Sequence, residues 1–381
     1  MRLAVLVTHP IQYFAPMFRA LAQKYRLELK VFFGCNHGTV PQVDPNFGVA
    51  FKWDCNPTDG YDYEFIWLGS FSALIGISGV QLARRAVKRI NCFKPDAVLI
   101  FAYTPAFISA STVLLGLGGY RLMLRAETTD EALDRSWIKD KLRQVILSNY
   151  YRQFWHVFPI GTNSKNHYRR MGVVDNEMTL VEYAIDVDFF QRQVDYWLPQ
   201  RQALRAAMGI EPTAQVLMYC GKMFEPKNPL LIVEALALLS PDLKERLWLL
   251  AVGDGVLRSE FEAGAKGQLG DRAVFVGFKN QSELGQYYAL ADTLVLPSQS
   301  GETWGLVVNE ALQFGLRVVV SDKVGSSRDL ILDEAQGYRF SSGSAEELST
   351  AITAIVQRAP EDKPVLLPHP DNLAEAVYSQ L

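Results

Sequence analysis

The chain has 381 residues, 49% of them hydrophobic and 21% charged. That is enough for two cores, since single cores rarely grow past roughly 250–300 residues. A formal charge of −3 lacks the basic excess of a nucleic-acid binder. The charge is uneven, with 21 basic and 17 acidic side chains in residues 1–190 and 17 and 24 in residues 191–381.

Along the first half, residues 3–7, 27–33, 97–101, 121–125 and 156–160 are short apolar runs that read as buried strands. Nothing behind the first run resembles a cleavage site, so no secretory leader is expected. Helical spacing appears at 16–24 and 139–154. In the second half the strand candidates are 216–219, 247–252, 273–276, 293–296 and 317–320, with helices at 229–239 and 305–314. Strands alternating with helices predict α/β layers on parallel sheets, in a run too long for one sheet. Around 189–200 neither a period of 2 nor one of 3.6 holds, which places a domain boundary there. The stretch 358–372 carries four prolines and leads into a last helix at 373–380. The expected organisation is residues 1–190, residues 201–357, and a tail, 358–381, packing back on the first domain. The apolar runs 71–80 and 230–240 fall short of the roughly 18–20 residues of a membrane span. Cysteines 35, 55, 92 and 220 show neither metal spacing nor a disulfide framework. They read as reduced thiols, which places the chain in the cytoplasm.

Chemistry concentrates in two segments of the second half. Ser298-Gln-Ser-Gly-Glu302-Thr303-Trp304-Gly305-Leu306 joins a strand to a helix that carries Glu310. Backbone N–H groups at 304–306 would lie at the positive end of that helix, where a phosphate binds readily. Glu310, further in, suits the vicinal hydroxyls of a ribose. An exposed loop acid and a helix with an incidental glutamate is the alternative. The second segment, Gly221-Lys222-Met-Phe-Glu-Pro-Lys227-Asn228-Pro229, again ends a strand in glycine, with Asn228 as expected helix cap and Pro229 as first helical residue. Lys222 and Lys227 bracket the turn where an open parallel sheet binds ligands. Two ammonium groups could converge there on a diphosphate, or be an ordinary surface pair.

Together these segments resemble the donor half of the retaining glycosyltransferases of family four, which have the two-domain GT-B fold. Glu302 and Glu310 match the family's Glu-x7-Glu element, and Lys222 with Lys227 its basic turn. Val252-Gly253-Asp254-Gly255, Val276-Gly277-Phe278-Lys279 and Leu296-Pro297-Ser298 follow in the expected order. Gly253-Asp254-Gly255 lacks the third glycine of a dinucleotide fingerprint, so no NAD site is read. The resemblance implies two Rossmann-like domains facing each other across a cleft, with the nucleotide-sugar donor in the second and the acceptor in the first. It implies that Lys222 and Lys227 hold the donor diphosphate. Glu310 would bind the ribose. Glu302, Ser298 and the backbone of Thr303, Trp304, Gly305 and Leu306 would face the phosphate and sugar. Phe278 and Lys279 would flank the base. Relatives commonly carry Arg at Lys222, so a point charge replaces a bidentate fork here.

In the first half, His9-Pro10-Ile11-Gln12-Tyr13 resembles a subset of the family that begins with a His-Pro-x-Gln-Tyr run. His9 and Gln12 would then point into the cleft on the acceptor side, His9 otherwise satisfying a turn carbonyl. Arg125 and Glu127 alternate at a strand end and share a face. Glu127 is an acceptor-side carboxylate, as base or hydroxyl ligand, or else the pair is structural. His156 and His167 read as structural.

Two stretches bear on membranes. The basic, aromatic run 135–155 could lie on anionic lipid, but packing its apolar stripe on the sheet is the preferred reading. Residues 81–90, with Arg84, Arg85, Lys88 and Arg89, are the better surface patch for peripheral membrane contact, which would suit a lipid-linked acceptor. The resulting expectation is a glycosyltransferase using a nucleotide-sugar, UDP-linked for choice, and a glycan, lipid-linked or small-molecule acceptor. No divalent metal is expected, because Asp186-Val-Asp188 is the only Asp-x-Asp and lies at the domain junction. The rivals are a sugar-nucleotide epimerase or hydrolase of similar fold and a non-catalytic nucleotide-sugar-binding scaffold.

Overall fold

Leu3, Val5 and Val7 face one side of the first strand, Ala4 and Leu6 the other, and all five are buried. A strand apolar on both faces belongs in a parallel sheet covered by helices on each side. The computed structural model describes residues 1–25, 27–39, 42–43, 50–51, 56–130, 136–358 and 367–381, so Cys55 and Arg135 lie outside the described residues.

The strands of the first half are β1 (Arg2–Val7), β2 (Glu28–Phe33), β3 (Gln42–Val43), β4 (Ala50–Phe51), β5 (Asp62–Phe65), β6 (Ala97–Phe101), β7 (Arg121–Arg125) and β8 (His156–Val157). Six form a parallel sheet in the order β5-β2-β1-β6-β7-β8, and β3 and β4 make a separate antiparallel pair. The second half contributes β9 (Gln215–Cys220), β10 (Leu247–Val252), β11 (Ala273–Gly277), β12 (Thr293–Leu296), β13 (Arg317–Ser321) and β14 (Gly337–Phe340), ordered β11-β10-β9-β12-β13-β14. Each sheet has the doubly wound order, in which the strand succession reverses beside the first strand. The reversals fall between β1 and β6 and between β9 and β12.

Helices α1 (Ala15–Gln23), α2 (Gly76–Phe93), α3 (Ala106–Leu117), α4 (Trp137–Tyr151) and α5 (Thr162–Arg170) belong to the first domain. Then come α6 (Val187–Trp197), α7 (Arg201–Ala207), α8 (Leu230–Leu238), α9 (Pro241–Glu245), α10 (Arg258–Leu269), α11 (Gln281–Leu290), α12 (Leu306–Gln313), α13 (Ser327–Leu330), α14 (Ala345–Gln357) and α15 (Pro370–Ser379). Residues 189–200, read as irregular, are helical. Phe190, Val194 and Trp197 do hold helical spacing, and they pack on the core of the second domain. Asp186 caps that helix by accepting from Phe189 N and pairs with Arg19, which accounts for one acid of the Asp-x-Asp match. The last helix, α15, lies on α1, with Lys24 Nζ 2.6 Å from Asp371 Oδ2 and Tyr25 stacked on Tyr378 at 4.8 Å.

Asn228 is not a helix cap. Residues 225–227 form a short 3-10 turn, Asn228 closes it in the left-handed region at φ 46°, and Pro229 caps α8. The strand expected at 156–160 stops at Val157. Phe158 N instead donates to Leu124 O, and Tyr183 N reaches Ile160 O.

The glycines ending β9, β10 and β11 pack backbone against backbone. Gly253 has φ +128°, and a Cβ there would stand 1.9 Å from the Gly221 carbonyl oxygen. Gly253→Ala is therefore expected to cost about 2–4 kcal/mol, from strain plus a clash the backbone cannot relieve. A guanidinium unfolding curve reads this directly, and a loss under about 0.5 kcal/mol would contradict the packing.

Candidate functional site

Both sheets end at a crevice. The carboxyl end of β9 leads into Gly221–Asn228, and that of β12 into Ser298–Gly305. The two loops are joined: Gln299 N donates to Pro226 O at 2.9 Å, and Gln299 Nε2 to Glu225 O at 2.9 Å. A buried tyrosine, Tyr219, donates to the Lys222 carbonyl at 2.7 Å and fixes the start of the basic turn. These bonds deliver Lys227 Nζ directly onto Glu302 Oε2, and Ser298 Oγ donates to the same oxygen at 3.2 Å. Glu302 and Lys227 retain only 12% and 21% side-chain exposure. An ion pair this shielded is screened little by salt. Gly305, at φ +91°, caps α12; the left-handed conformation and Val324, 3.0 Å from a would-be Cβ, require glycine there.

Glu310 is buried, and both its oxygens are engaged. Tyr288 donates to Oε2 at 2.7 Å, and Tyr13, from the first domain, donates to Oε1 at 2.7 Å. Burial pushes this carboxyl up to about 7, with the two hydroxyls pulling the other way. Burial likewise pushes the neighbouring Cys220 thiol up to about 12. Phe278 and Lys279 follow β11. Lys279 lies 3.6 Å from Glu283 and over the Tyr287 ring at 5.7 Å.

In the first domain a pocket of about 240 Å³ opens at the carboxyl ends of β1, β6 and β7, lined among others by Thr8, Tyr103, Thr104, Glu127 and Tyr183. Ala102 on its wall holds φ +75°, a conformation that costs a non-glycine residue about 1 kcal/mol or more. Glu127 reaches solvent yet is crowded by the walls. Burial raises its carboxyl, the Tyr183 hydroxyl (2.7 Å) and Arg125 oppose the rise, and the charge of Glu302 in the other domain adds to it. Arg125 does not pair with Glu127. Its guanidinium is buried and donates to the Val181 carbonyl at 2.7 Å, with longer bonds to Phe158 O and Glu182 O. Burial draws its pKa down to about 10. His9 turns from the pocket toward His37 and Phe71, with ring centroids at 5.2 and 5.4 Å. Burial, then His37, pushes it to about 4, so the ring is neutral at pH 7. Gln12 is buried and hydrogen-bonds Tyr13.

The domains touch through Trp304, read from the sequence for its backbone alone, and through residues the sequence did not single out. Trp304 lies over Gly161, where a Cβ would meet the ring at 2.3 Å. Its Nε1 donates to Asn309, whose Nδ2 donates to the Tyr183 carbonyl at 3.1 Å. Asp329 accepts from Thr162 N (3.1 Å) and Thr162 Oγ1 (2.5 Å) at the start of α5. Tyr13, Tyr183, Tyr288 and Asp329 carry no motif of their own; only Tyr13 stands in a run that drew notice. His156 and His167 are both buried, with Nε2 of each bonded to a hydroxyl, of Thr179 and of Tyr151. Among the described residues no cluster of three or more His, Cys, Asp or Glu is arranged to hold a metal.

Residues 200–375 match the glycosyl transferases group 1 family. Lipopolysaccharide 1,2-N-acetylglucosaminetransferase of Salmonella typhimurium is 30% identical over 169 residues, covering 42% of this chain and 43% of that protein. Sulfoquinovosyl transferase SQD2 of Arabidopsis thaliana is 29% identical over 285 residues, covering 73% and 53%. The matched segments thus span about half the length of these curated relatives. HepE of Anabaena, solved in complex with UDP and glucose, superimposes with a TM-score of 0.66 over 100% of this chain and 95% of that one, at 17% identity. The fold is GT-B, two Rossmann-like domains enclosing a cleft. Among the described residues no helix is long and apolar enough to cross a membrane.

Proposed function

We propose that this chain is a cytoplasmic glycosyltransferase that moves a sugar from a UDP-linked donor to a glycan, lipid-linked or small-molecule acceptor with retention of configuration and without a divalent metal. The observation that carries the reading is the delivery of Lys227 and Ser298 onto Glu302 at the strand-order reversal of a domain matched to group 1 glycosyl transferases. In this reading Lys227, with Lys222, takes the diphosphate and stabilises charge as the sugar–phosphate bond breaks. The backbone of Thr303–Leu306 supports the same phosphate. Glu302 then turns to the hydroxyls of the transferred sugar. Glu310 receives the ribose, whose hydroxyl takes over the bond that Tyr13 makes. Phe278 and Lys279 flank the base.

On the acceptor side, Glu127 orients or deprotonates the incoming hydroxyl, with Tyr183 fixing its carboxylate. Arg125 acts through the backbone at 181–182 that leads to Tyr183. His9, neutral at pH 7 and turned toward His37 and Phe71, and Gln12, bonded to Tyr13, act beside the pocket as hydrogen-bonding groups rather than as charges within it. The contacts of Trp304 and Asp329 with the first domain support closure over the substrates, which excludes water as a competing acceptor. The unpaired cysteines 35, 92 and 220 accord with a reducing compartment.

Calorimetric titration with UDP, GDP and ADP, with and without EDTA, tests this. UDP is expected to bind in the range of about 1 μM–1 mM typical of substrates, to keep that affinity in EDTA, and to lose at least about tenfold in Lys227→Ala. Binding of none of the three removes the donor site. Binding that EDTA abolishes removes the metal-free mechanism.

A further inference from the structure

Helix α4 is turned inside out. Trp137, Ile138, Leu142, Val145 and Ile146 are 57–75% exposed, whereas Asp140, Arg143 and Gln144 are turned to the protein. Arg143 Nη1 donates to Asp130 at 2.9 Å, Asp140 accepts from Arg170 at 2.5 Å, and Gln144 Nε2 donates to the Arg170 carbonyl at 3.0 Å. Leu147 and Tyr151 are its only buried residues, both near the C-terminal end. This overturns the preferred reading of the stretch, that its apolar stripe would pack on the sheet. The polar side is clamped by ion pairs, so the helix cannot roll to hide the other. Single exposed apolar side chains are ordinary, but Ile138, Leu142, Val145 and Ile146 fall within about 100° of one helix face and form a contiguous patch of the kind that marks an interaction surface.

The charges around the patch identify its occupant. At 100° per residue, Lys141 and Arg152 border the apolar stripe on one side and Lys139 on the other, all three exposed. A helix with an apolar centre and basic margins suits the interface of an anionic bilayer: the stripe enters the acyl boundary while lysine stems reach back to the headgroups. Trp137 at its N-terminal end fits the same depth. The adjoining layer adds to the field. Tyr150 of α4 bonds Thr112 of α3, α3 packs on α2, and α2 exposes Arg84, Arg85, Lys88 and Arg89. The first 190 residues hold the positive excess and the rest the negative one, so an anionic surface attracts this domain and repels the other. A second copy docked on the stripe would bring basic margin against basic margin in either direction. Asp130, three residues on from Glu127 of the pocket wall, accepts from Arg143 of α4 at 2.9 Å, so the helix adjoins the acceptor-side pocket.

We propose that the exposed face of α4 docks the protein on an anionic lipid bilayer, with the pocket of the first domain beside the membrane. The inference stands apart from the glycosyl-transfer reading, because binding is measured on the full chain without donor or acceptor. Co-sedimentation is compared on vesicles of phosphatidylcholine alone and of phosphatidylcholine mixed with phosphatidylglycerol. The wild-type chain is expected to partition at least about tenfold more strongly to the mixed vesicles. Leu142→Glu/Val145→Glu is expected to lower that partitioning by tenfold or more, and Lys139→Glu/Lys141→Glu to remove the preference for the anionic lipid. All four positions are exposed, and an unchanged melting temperature certifies each variant as folded. The proposal falls if the wild-type chain ignores both vesicles or if Leu142→Glu/Val145→Glu binds as well as wild type. It also falls if sedimentation equilibrium finds a dimer that the same double variant splits, since a second copy would then own the face.

Discussion

Glu302→Gln is expected to lower kcat by about two to three orders of magnitude while leaving UDP affinity within about threefold of wild type. The geometry separates the two effects. UDP lacks the transferred sugar, so it draws on Lys222, Lys227 and Glu310, none of which the substitution removes. Glutamine keeps the shape of the side chain and an oxygen for the Ser298 bond, now 3.2 Å long. What disappears is the charge. Without it the group no longer balances Lys227, nor does it accept strongly from sugar hydroxyls as positive character builds on the anomeric carbon. Initial rates and a UDP titration on one preparation decide the matter. Wild-type turnover in the variant would remove Glu302 from the reaction, and joint loss of rate and UDP affinity would make it a binding residue only. A non-catalytic scaffold would show no turnover in either protein.

How far this site was legible in the sequence depended on where each signal lives. Strands β1, β6, β10 and β13 are buried on both faces, so their apolar runs stand out against polar turns. The edge strands β5 and β14, Asp62–Phe65 and Gly337–Phe340, were missed because an edge needs burial on one side only and tolerates Tyr, Arg, Asp and Glu. Glu302, Glu310, Lys222 and Lys227 were readable because a loop and a helix fix them at short spacing. The partners that complete the site come from far along the chain. Tyr13 lies 297 positions from Glu310, and Thr162 lies 167 from Asp329. No local pattern can announce such a pairing. The α4 face misled for a related reason: apolar spacing tells that a helix has two faces, and only the ion pairs with Asp130 and Arg170 tell which one points outward.

Glu310→Gln is expected to stabilise the protein above neutral pH while weakening its nucleotide affinity. The folded carboxyl titrates near 7, against about 4.5 for an ordinary glutamate. Between those values the folded state holds a proton that the unfolded chain has released. Stability therefore falls as pH rises from about 4.5 to 7 and stays flat above. The full difference amounts to about 3 kcal/mol at 1.36 kcal/mol per unit, with the opposing pull of the Tyr13 and Tyr288 hydroxyls already included. Glutamine carries no charge into the pocket, so the variant should unfold about 1–2 kcal/mol harder than wild type at pH 8, the advantage vanishing near pH 4.5. Denaturant curves at the two pH values read this. The same change removes the anionic acceptor for two ribose hydroxyls, so UDP affinity should drop about tenfold or more at pH 8. In wild type, affinity should decline as pH falls through 7 and the carboxyl takes up its proton. A buried charge that costs stability and serves a ligand is the signature of a binding group rather than a structural one. If Glu310→Gln instead lost stability at pH 8 and bound UDP normally, the Tyr13–Glu310–Tyr288 cluster would be a strut between the domains, and the ribose would have to lie elsewhere.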